Sequence, residues 1–133
     1  MGEQETGFVR SAGESEPFSL APGWPSLVRA EGADAEGADT GGVLGAVEET
    51  VAPGVGPPVH VHRRGDELFY VLEGTFTFLI AGRRREGRVG TVAFVPHGTA
   101  HTWQNTGGVP DRMLFVFTPA GFERALADLA RCY

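Results

Sequence analysis

The sequence predicts an all-β fold, either a sandwich or a barrel. From Val43 onward, apolar and β-branched segments of about five to eight residues alternate with Gly, Pro and Asn, a pattern typical of strands and turns. No long helical pattern occurs in this region. The chain has 133 residues and is 41% hydrophobic, which suits one domain with its own core and is too short for two. We therefore expect a single compact β domain.

The individual strands follow from this alternation. Glu73-Gly74 separates two strongly apolar runs and predicts a tight hairpin turn, because Gly adopts the positive φ that such turns require. Pro96-His97-Gly98 predicts a second interruption just before His101. We expect strands over residues 43–51, 57–62, 67–72, 75–80, 91–95, 101–105 and 112–117.

The connector between two of these strands is strongly basic, because it contains Arg83-Arg84-Arg85 and Arg88. We interpret it as an exposed edge hairpin, since charged edges prevent one sheet from associating with another. Recognition of an acidic ligand is the alternative interpretation.

The first part of the chain contains two weakly apolar segments. Residues 1–15 are rich in Gly, Glu and Ser and cannot bury enough apolar surface to offset the entropy of ordering, so we expect a mobile N-terminal arm. The barrel domain is expected over residues 16–118. Within it, Glu31-Gly32-Ala33-Asp34 recurs as residues 36–39, which predicts a lengthened surface loop or hairpin between two strands.

A short C-terminal packing helix is expected over residues 119–131. Thr118 is a suitable helix cap and Pro119 suits the first turn. The apolar residues recur at helical spacing and would share one face: Phe122, Ala125, Leu126 and Leu129.

Charge and cysteine content exclude several classes of partner. The formal net charge of −6 argues against nucleic acid, since binding to phosphates requires a basic face. No apolar stretch is long enough for a membrane span, and the acidic start does not resemble a secretory signal. Cys132 is the single cysteine, so no intramolecular disulfide can form. We expect a cytoplasmic protein, and the use of Arg without Lys is typical of a GC-rich bacterial genome.

Four residues have the chemistry of a metal site: His60, His62, Glu67 and His101. Residues two apart in a strand share a face, so the two neighbouring histidines would project together. Imidazole and carboxylate groups suit one divalent transition metal ion, and they accept Fe, Mn, Ni, Co, Cu or Zn without distinguishing among them. An isolated H-x-H pair is more often found on the solvated face of a strand. The prediction of a metal site therefore depends on the joint pattern.

That joint pattern forms two motifs. The first, over residues 54–74, reads GVGPPVHVHRRGDELFYVLEG, and the second, over residues 90–105, reads GTVAFVPHGTAHTWQN. They resemble the two signature motifs of the cupin superfamily at every defining position. With the continuation FTPAGFE, the resemblance extends to the small single-domain (cupin type 2) quercetin-dioxygenase-like proteins and covers about residues 43–122.

The resemblance implies a double-stranded β-helix, or jelly-roll barrel, with a metal ion in its mouth. It assigns the four residues above as metal ligands and also implies a homodimer. It further implies that six residues are structural marks of the motifs: Gly54, Gly74, Gly90, Pro96, Gly98 and Asn105.

The leading functional hypothesis is a metal-dependent dioxygenase acting on a small aromatic or enolic compound. Glu67 would be both a ligand and the catalytic base that removes a substrate hydroxyl proton. Flat apolar ligands favour pockets with aromatic walls. The candidate wall residues are Trp103, Phe69, Val71, Phe78 and Phe115.

Two other classes of function use the same site. A bound Zn or Ni ion could polarise a carbonyl for a non-oxidative cyclisation or isomerisation. A non-catalytic module that binds a metal and a small molecule is the third hypothesis. Well-studied flavonol dioxygenases often have two cupin domains whereas this chain has one, so the substrate does not follow from the resemblance.

Overall fold

The computed structural model describes residues 7–19, 24–30 and 39–122, and this part of the chain is built almost entirely from antiparallel strands. Its one complete helical element is a short 3-10 turn over Ala12–Glu14, and Phe122, the last described residue, is also helical. The prediction of an all-β fold is therefore confirmed. Within the described ranges the strands are β1 (Glu16–Ser19), β2 (Pro25–Ala30), β3 (Gly45–Val51), β4 (Asp66–Glu73), β5 (Thr75–Ile80), β6 (Arg83–Arg88), β7 (Val92–Val95), β8 (His101–Asn105) and β9 (Asp111–Thr118).

The strands form two sheets that enclose the core. The larger sheet has the order β1-β2-β3-β9-β4-β7 and the smaller sheet has the order β6-β5-β8. The last strand, β9, lies between β3 and β4, so strands that are distant in sequence are paired in the middle of the larger sheet. This crossed antiparallel arrangement is the jelly-roll type of barrel.

The core follows from the alternation of side chains along the strands. Phe69 on β4 lies opposite Phe115 on β9, and Val71 lies opposite Met113. All four are at most 2% exposed. Fully burying such a side chain contributes about 1.5–3 kcal/mol. The remaining members of the core cluster are Val47, Val51, Phe76, Phe78, Val95, Trp103 and Phe117.

The prediction of a strand over residues 57–62 is wrong. Of these residues only His60 is bridged to a strand, through an isolated antiparallel pair with His101. Pro57 and Pro58 have no backbone N–H and cannot complete a ladder, which explains the loss of regular pairing. The basic connector, in contrast, forms the edge strand β6, and five of its six residues are exposed. The interpretation as an exposed edge is confirmed.

The C-terminal helix is not seen in the described residues, and most of its expected span, residues 123–131, lies outside them. Thr118 is not a helix cap, because it is the last residue of β9 and pairs with Asp66 on β4. Pro119 follows in a bend, and Gly121 has a φ of 137°, which is not a helical value. The pairing of β9 thus continues to Thr118, one residue beyond the expected end of the strand. No helix begins at residue 119, where the sequence predicted one.

The expected N-terminal arm stays a prediction. Residues 7–15 of the expected arm are described, and Arg10 forms an ion pair with Asp39 at 2.8 Å. Most of the repeated EGAD segment, residues 31–38, lies outside the described residues. In the part of the chain that the structure describes, no helix is long and apolar enough to span a membrane. The expected homodimer and cytoplasmic location stay predictions.

Candidate metal centre

The four candidate ligands reach the site from three adjacent segments of the barrel. Glu67 is on the inner face of β4, and His101 begins β8. His60 lies beside His101 and exchanges two backbone hydrogen bonds with it, each 3.0 Å long. Gly56 permits this approach, because a Cβ atom there would collide with the backbone carbonyl of Trp103. The absence of a side chain at residue 56 therefore brings the His60 segment against β8.

The second motif is fixed by a buried amide. The Asn105 side chain is completely buried and its Nδ2 donates to the carbonyls of Val51 at 2.8 Å and Val109 at 2.9 Å. Its Oδ1 accepts from the Gly107 N–H at 2.8 Å. Every polar atom of this amide thus has a partner, and the end of β8 is tied to the end of β3.

The side chains of His60, His62, Glu67 and His101 converge. One potential ligand atom from each lies within 4.8 Å of the others. Two donors on opposite sides of an ion at about 2.2 Å would be about 4.4 Å apart, so little movement is needed to complete a coordination sphere. Glu67 Oε2 lies 3.2 Å from His62 Nε2 and 3.2 Å from His101 Nε2. This cluster could hold one metal ion.

The hydrogen bonds of the rings direct the Nε2 atoms toward this centre. His60 Nδ1 lies 2.8 Å from the Pro58 carbonyl, and His101 Nδ1 lies 2.9 Å from the Thr99 carbonyl. A carbonyl only accepts, so both Nδ1 atoms carry the proton and both Nε2 atoms are directed to the site. His62 Nε2 is buried and lacks a hydrogen-bond partner, because its approach to Glu67 is close but poorly aligned. Such a donor set fits a transition metal ion.

The carboxylate and imidazoles also shift each other's titration. Burial raises the pKa of Glu67, but the hydrogen bond with His101 and the close approach of the His62 imidazole outweigh burial and hold the pKa below its ordinary value. Burial lowers the pKa of His101, but the hydrogen bond with Glu67 outweighs it, and the net pKa is raised. Burial dominates at His60, whose pKa is lowered. A proton on His101 Nε2 therefore competes with a metal ion in the metal-free site.

Two cavities open onto the cluster. The outer cavity has a volume of about 540 Å³ and includes His62, Glu67, Arg63, Arg64 and Phe122 in its lining. The inner cavity is about 90 Å³. The inner cavity is lined by Trp24, Glu49, Pro57, His60, Glu67, Trp103, Phe115, Phe117 and Phe122.

The expected wall residues separate into two groups. Trp103 and Phe115 line the inner cavity beside the candidate ligands. Phe69, Val71 and Phe78 are instead packed in the core and line neither cavity at the site. Phe69 and Val71 share the inner face of β4 with Glu67 but lie farther along the strand, which takes them into the packed interior.

Sequence reasoning missed the two other residues of the inner cavity whose side chains carry polar atoms, Trp24 and Glu49. Glu49 had a detectable signal, since Val47, Glu49 and Val51 alternate along one strand and place an acid on the apolar face. Burial raises the pKa of Glu49 to about 8; the nearby Trp24 side chain opposes the increase and the charge of Glu67 adds to it. Nothing in the spacing around Trp24 indicates its place in the cavity. His97, the remaining histidine, is exposed and hydrogen-bonds Asp66 through Nδ1 at 2.9 Å.

Known proteins resemble this chain in sequence and in fold. It is 32% identical over 80 residues to the tetracenomycin polyketide synthase protein TcmJ of Streptomyces glaucescens, a match over 60% of this chain and 52% of that protein. It is 30% identical over 74 residues to an uncharacterized protein of Methanocaldococcus jannaschii, over 55% of this chain and 59% of the relative. The match thus spans little more than half the length of either relative.

The fold is shared with a solved structure at lower identity. KdgF from a Halomonas species superposes with a TM-score of 0.76 at 23% identity, covering 90% of this chain and 99% of that one. At this identity the likeness shows the fold alone. The family model of the cupin domain matches residues 47–117, which include both motifs and all four converging side chains. The chain belongs to the cupin family.

Proposed function

We propose that this protein is a metal-dependent enzyme that acts on a small aromatic or enolic compound. The observation that carries the proposal is the convergence of three imidazoles and one carboxylate at the junction of two cavities, one of which is lined by aromatic rings. Four protein donors leave open positions on a six-coordinate ion, as reactive metal sites require.

A divalent transition metal ion would supply Lewis acidity at this point when bound. The ligands would be His60, His62, Glu67 and His101. Glu67 would also act as the catalytic base. Its pKa is held below the ordinary value, so the carboxylate is ionised and able to accept the proton of an enolic or phenolic hydroxyl.

The cavities favour a flat, partly anionic compound. Trp103, Phe115 and Phe117 provide aromatic surface in the inner cavity. The outer cavity carries Arg63 and Arg64, both with exposed side chains, which would stabilise a deprotonated oxygen or an acidic substituent.

Two reaction classes use this arrangement. Open positions next to a redox-active ion support oxidative cleavage by dioxygen, which is the first candidate. The likeness to a polyketide synthase protein supports the second, a non-oxidative cyclisation or isomerisation, because polyketide chains are rich in enolisable carbonyls. Both require the same deprotonated oxygen next to the ion.

The test is turnover of enolic and polyhydroxylated aromatic compounds by protein loaded separately with Fe²⁺, Mn²⁺, Ni²⁺, Co²⁺, Cu²⁺ or Zn²⁺. Absorbance would follow the substrate, and an oxygen electrode would follow dioxygen in the same reaction. We expect conversion that requires metal and is lost in Glu67→Gln. Consumption of one dioxygen per product supports the oxidative reaction, whereas an undiminished anaerobic rate supports the non-oxidative one. Full turnover by Glu67→Gln would exclude the role as base, and tight metabolite binding with no product under any condition would favour a binding module.

A further inference from the structure

The inner cavity contains polar groups that the proposed chemistry does not use. Glu49 is 3% exposed, and its Oε1 has no hydrogen-bond partner in the described part of the chain. The indole Nε1 of Trp24 is likewise buried and without a partner there. Both side chains line the same cavity as His60 and Glu67. Buried polar groups are normally paired, because leaving one unpaired costs about 1–3 kcal/mol.

The position of Glu49 results from the strand pattern of β3. Glu48 and Glu49 are adjacent and project to opposite faces of the larger sheet. Glu48 forms an ion pair with Arg112 at 3.0 Å, whereas Glu49 faces the cavity. The two neighbouring acids of β3 thus have different environments. Among the described residues, Glu48 has a cationic partner and Glu49 has none.

The two unpaired groups are complementary to a hydroxyl group. An indole N–H only donates a hydrogen bond, and the unprotonated oxygen of a carboxyl group accepts one whether or not the group is ionised. A hydroxyl oxygen accepts from the indole while its O–H donates to this oxygen of Glu49, which satisfies both groups at once. Trp24 also contacts Trp103 edge to face, with ring centroids 5.7 Å apart, so its indole is held against the aromatic wall.

We propose that Glu49 and Trp24 bind a hydroxyl group of the substrate in the inner cavity, while a second oxygen of the same molecule is directed to the metal site. This inference deepens the proposed function and rests on it. It narrows the substrate class to aromatic or enolic compounds with at least two oxygen substituents.

A structural explanation competes with this proposal. Ser26 lies opposite Glu49 in the β2–β3 register, and its buried hydroxyl also lacks a partner in the described residues. The Trp24 indole also lies close enough to lower the pKa of Glu49 as a hydrogen-bond donor. If rotation of Ser26 or a direct hydrogen bond from Trp24 satisfied the carboxyl, Glu49 would stabilise the barrel and would not bind substrate. The two explanations differ in the stability of a variant without the carboxyl. Residues that bind ligand commonly reduce the stability of the free protein, whereas structural residues increase it.

The experiment compares binding of phenol with binding of catechol, resorcinol and hydroquinone to the full-length protein, by calorimetry and with the metal content of each sample measured. Wild-type protein is expected to bind at least one of the dihydroxybenzenes about tenfold more tightly than phenol. Glu49→Leu and Trp24→Phe should each reduce this preference to about threefold or less while retaining affinity for phenol. The matched control Glu48→Leu should keep it.

Equal preference in wild type, Glu49→Leu and Trp24→Phe would overturn the proposal, as would a wild-type protein with no preference for a second hydroxyl. A marked fall in the melting temperature of ligand-free Glu49→Leu would assign Glu49 to the structural explanation. If Glu49→Leu does not fold, Trp24→Phe alone tests the proposal. A preference reduced as described supports the hydroxyl site, and an unchanged preference overturns it. Wild-type protein that binds none of the metals would contradict the proposed metal-dependent activity. The difference in preference between wild type and the Glu49→Leu and Trp24→Phe variants would still test the hydroxyl site, because that difference is measured without turnover.

Discussion

His60 and His101 are joined through their backbones before any ion is considered. Each donates its N–H to the carbonyl of the other at 3.0 Å, and their rings lie with centroids 4.3 Å apart. Both Nδ1 atoms are bonded to carbonyls of their own segments. Two candidate ligands from segments distant in sequence are thus positioned by hydrogen bonds that do not involve the metal, which is typical of a preorganised site.

Removal of a converging imidazole should abolish metal binding without unfolding the barrel. His101→Ala loses Nε2 but keeps the backbone pair with His60, so we expect the metal content to fall from about one ion per chain to near zero. Elemental analysis and circular dichroism would measure the two effects. His97→Ala is the control, since His97 is exposed and bonded to Asp66, outside the cluster. Metal retained by His101→Ala and lost by His97→Ala would exclude the site described here.

Metal affinity should weaken as the pH falls. The pKa of His101 is raised by its hydrogen bond to Glu67, so its proton begins to compete with metal at a pH above the ordinary histidine value of about 6.5. Calorimetric titration with Zn²⁺ in buffers of different ionisation enthalpy would count the protons released. We expect proton release that increases as the pH is lowered, and less release from Glu67→Gln at each pH. Binding with no proton release at any pH would contradict the raised pKa.

The stability of the metal-free protein should decrease between about pH 4.5 and 8 through Glu49. Burial raises the pKa of this carboxyl from 4.5 to about 8. Over this range the folded protein keeps the proton while the unfolded chain has released it, so increasing the pH favours unfolding by as much as about 1.4 kcal/mol per pH unit. Above the folded pKa the contribution of Glu49 becomes constant.

Denaturant unfolding at a series of pH values would measure this slope. In Glu49→Gln the free energy of unfolding should depend less on pH between about 4.5 and 8. Glu48→Gln should keep the wild-type dependence, because Glu48 lies on the opposite face and is paired with Arg112. Identical pH profiles for wild type and Glu49→Gln would show that the carboxyl is already ionised near its ordinary pKa.

Gly74→Ala should destabilise the barrel by about 2–4 kcal/mol. Gly74 has a φ of 83°, and a Cβ atom there would collide with the Asp111 carboxyl. Asp111 is 1% exposed and accepts a hydrogen bond from the Thr75 N–H at 2.8 Å, so the variant combines backbone strain with the loss of a buried hydrogen bond.

Gly90→Ala is the matched control for this prediction. Gly90 has a φ of 89°, but a Cβ atom there would meet nothing within 4 Å. Only the strain of the left-handed conformation remains, so we expect a loss of about 1 kcal/mol in chemical denaturation. Equal losses in the two variants would show that the contact with Asp111 is unimportant.

Local pattern was sufficient to predict much of the fold. The strand β5 over Thr75–Ile80 and the strand β8 over His101–Asn105 have the predicted bounds, because alternating apolar residues end at clear turn residues. The segment with His60 was predicted as a strand for the same reason. Its pairing is limited by Pro57 and Pro58, whose missing N–H groups outweigh the alternation.

The sequence alone determined the all-β class, the two motifs and the four residues with ligand chemistry, because these depend on residue type, spacing and the period of a strand. Only the tertiary structure decided which aromatic residues line the cavity and which fill the core: Trp103 and Phe115 face the site, whereas Phe69 lies deeper on the same face as Glu67. It also placed Glu49 and Trp24 beside the ligands. The depth of a residue in a barrel depends on how two sheets pack against each other, and the alternation of side chains along one strand carries no information about that packing.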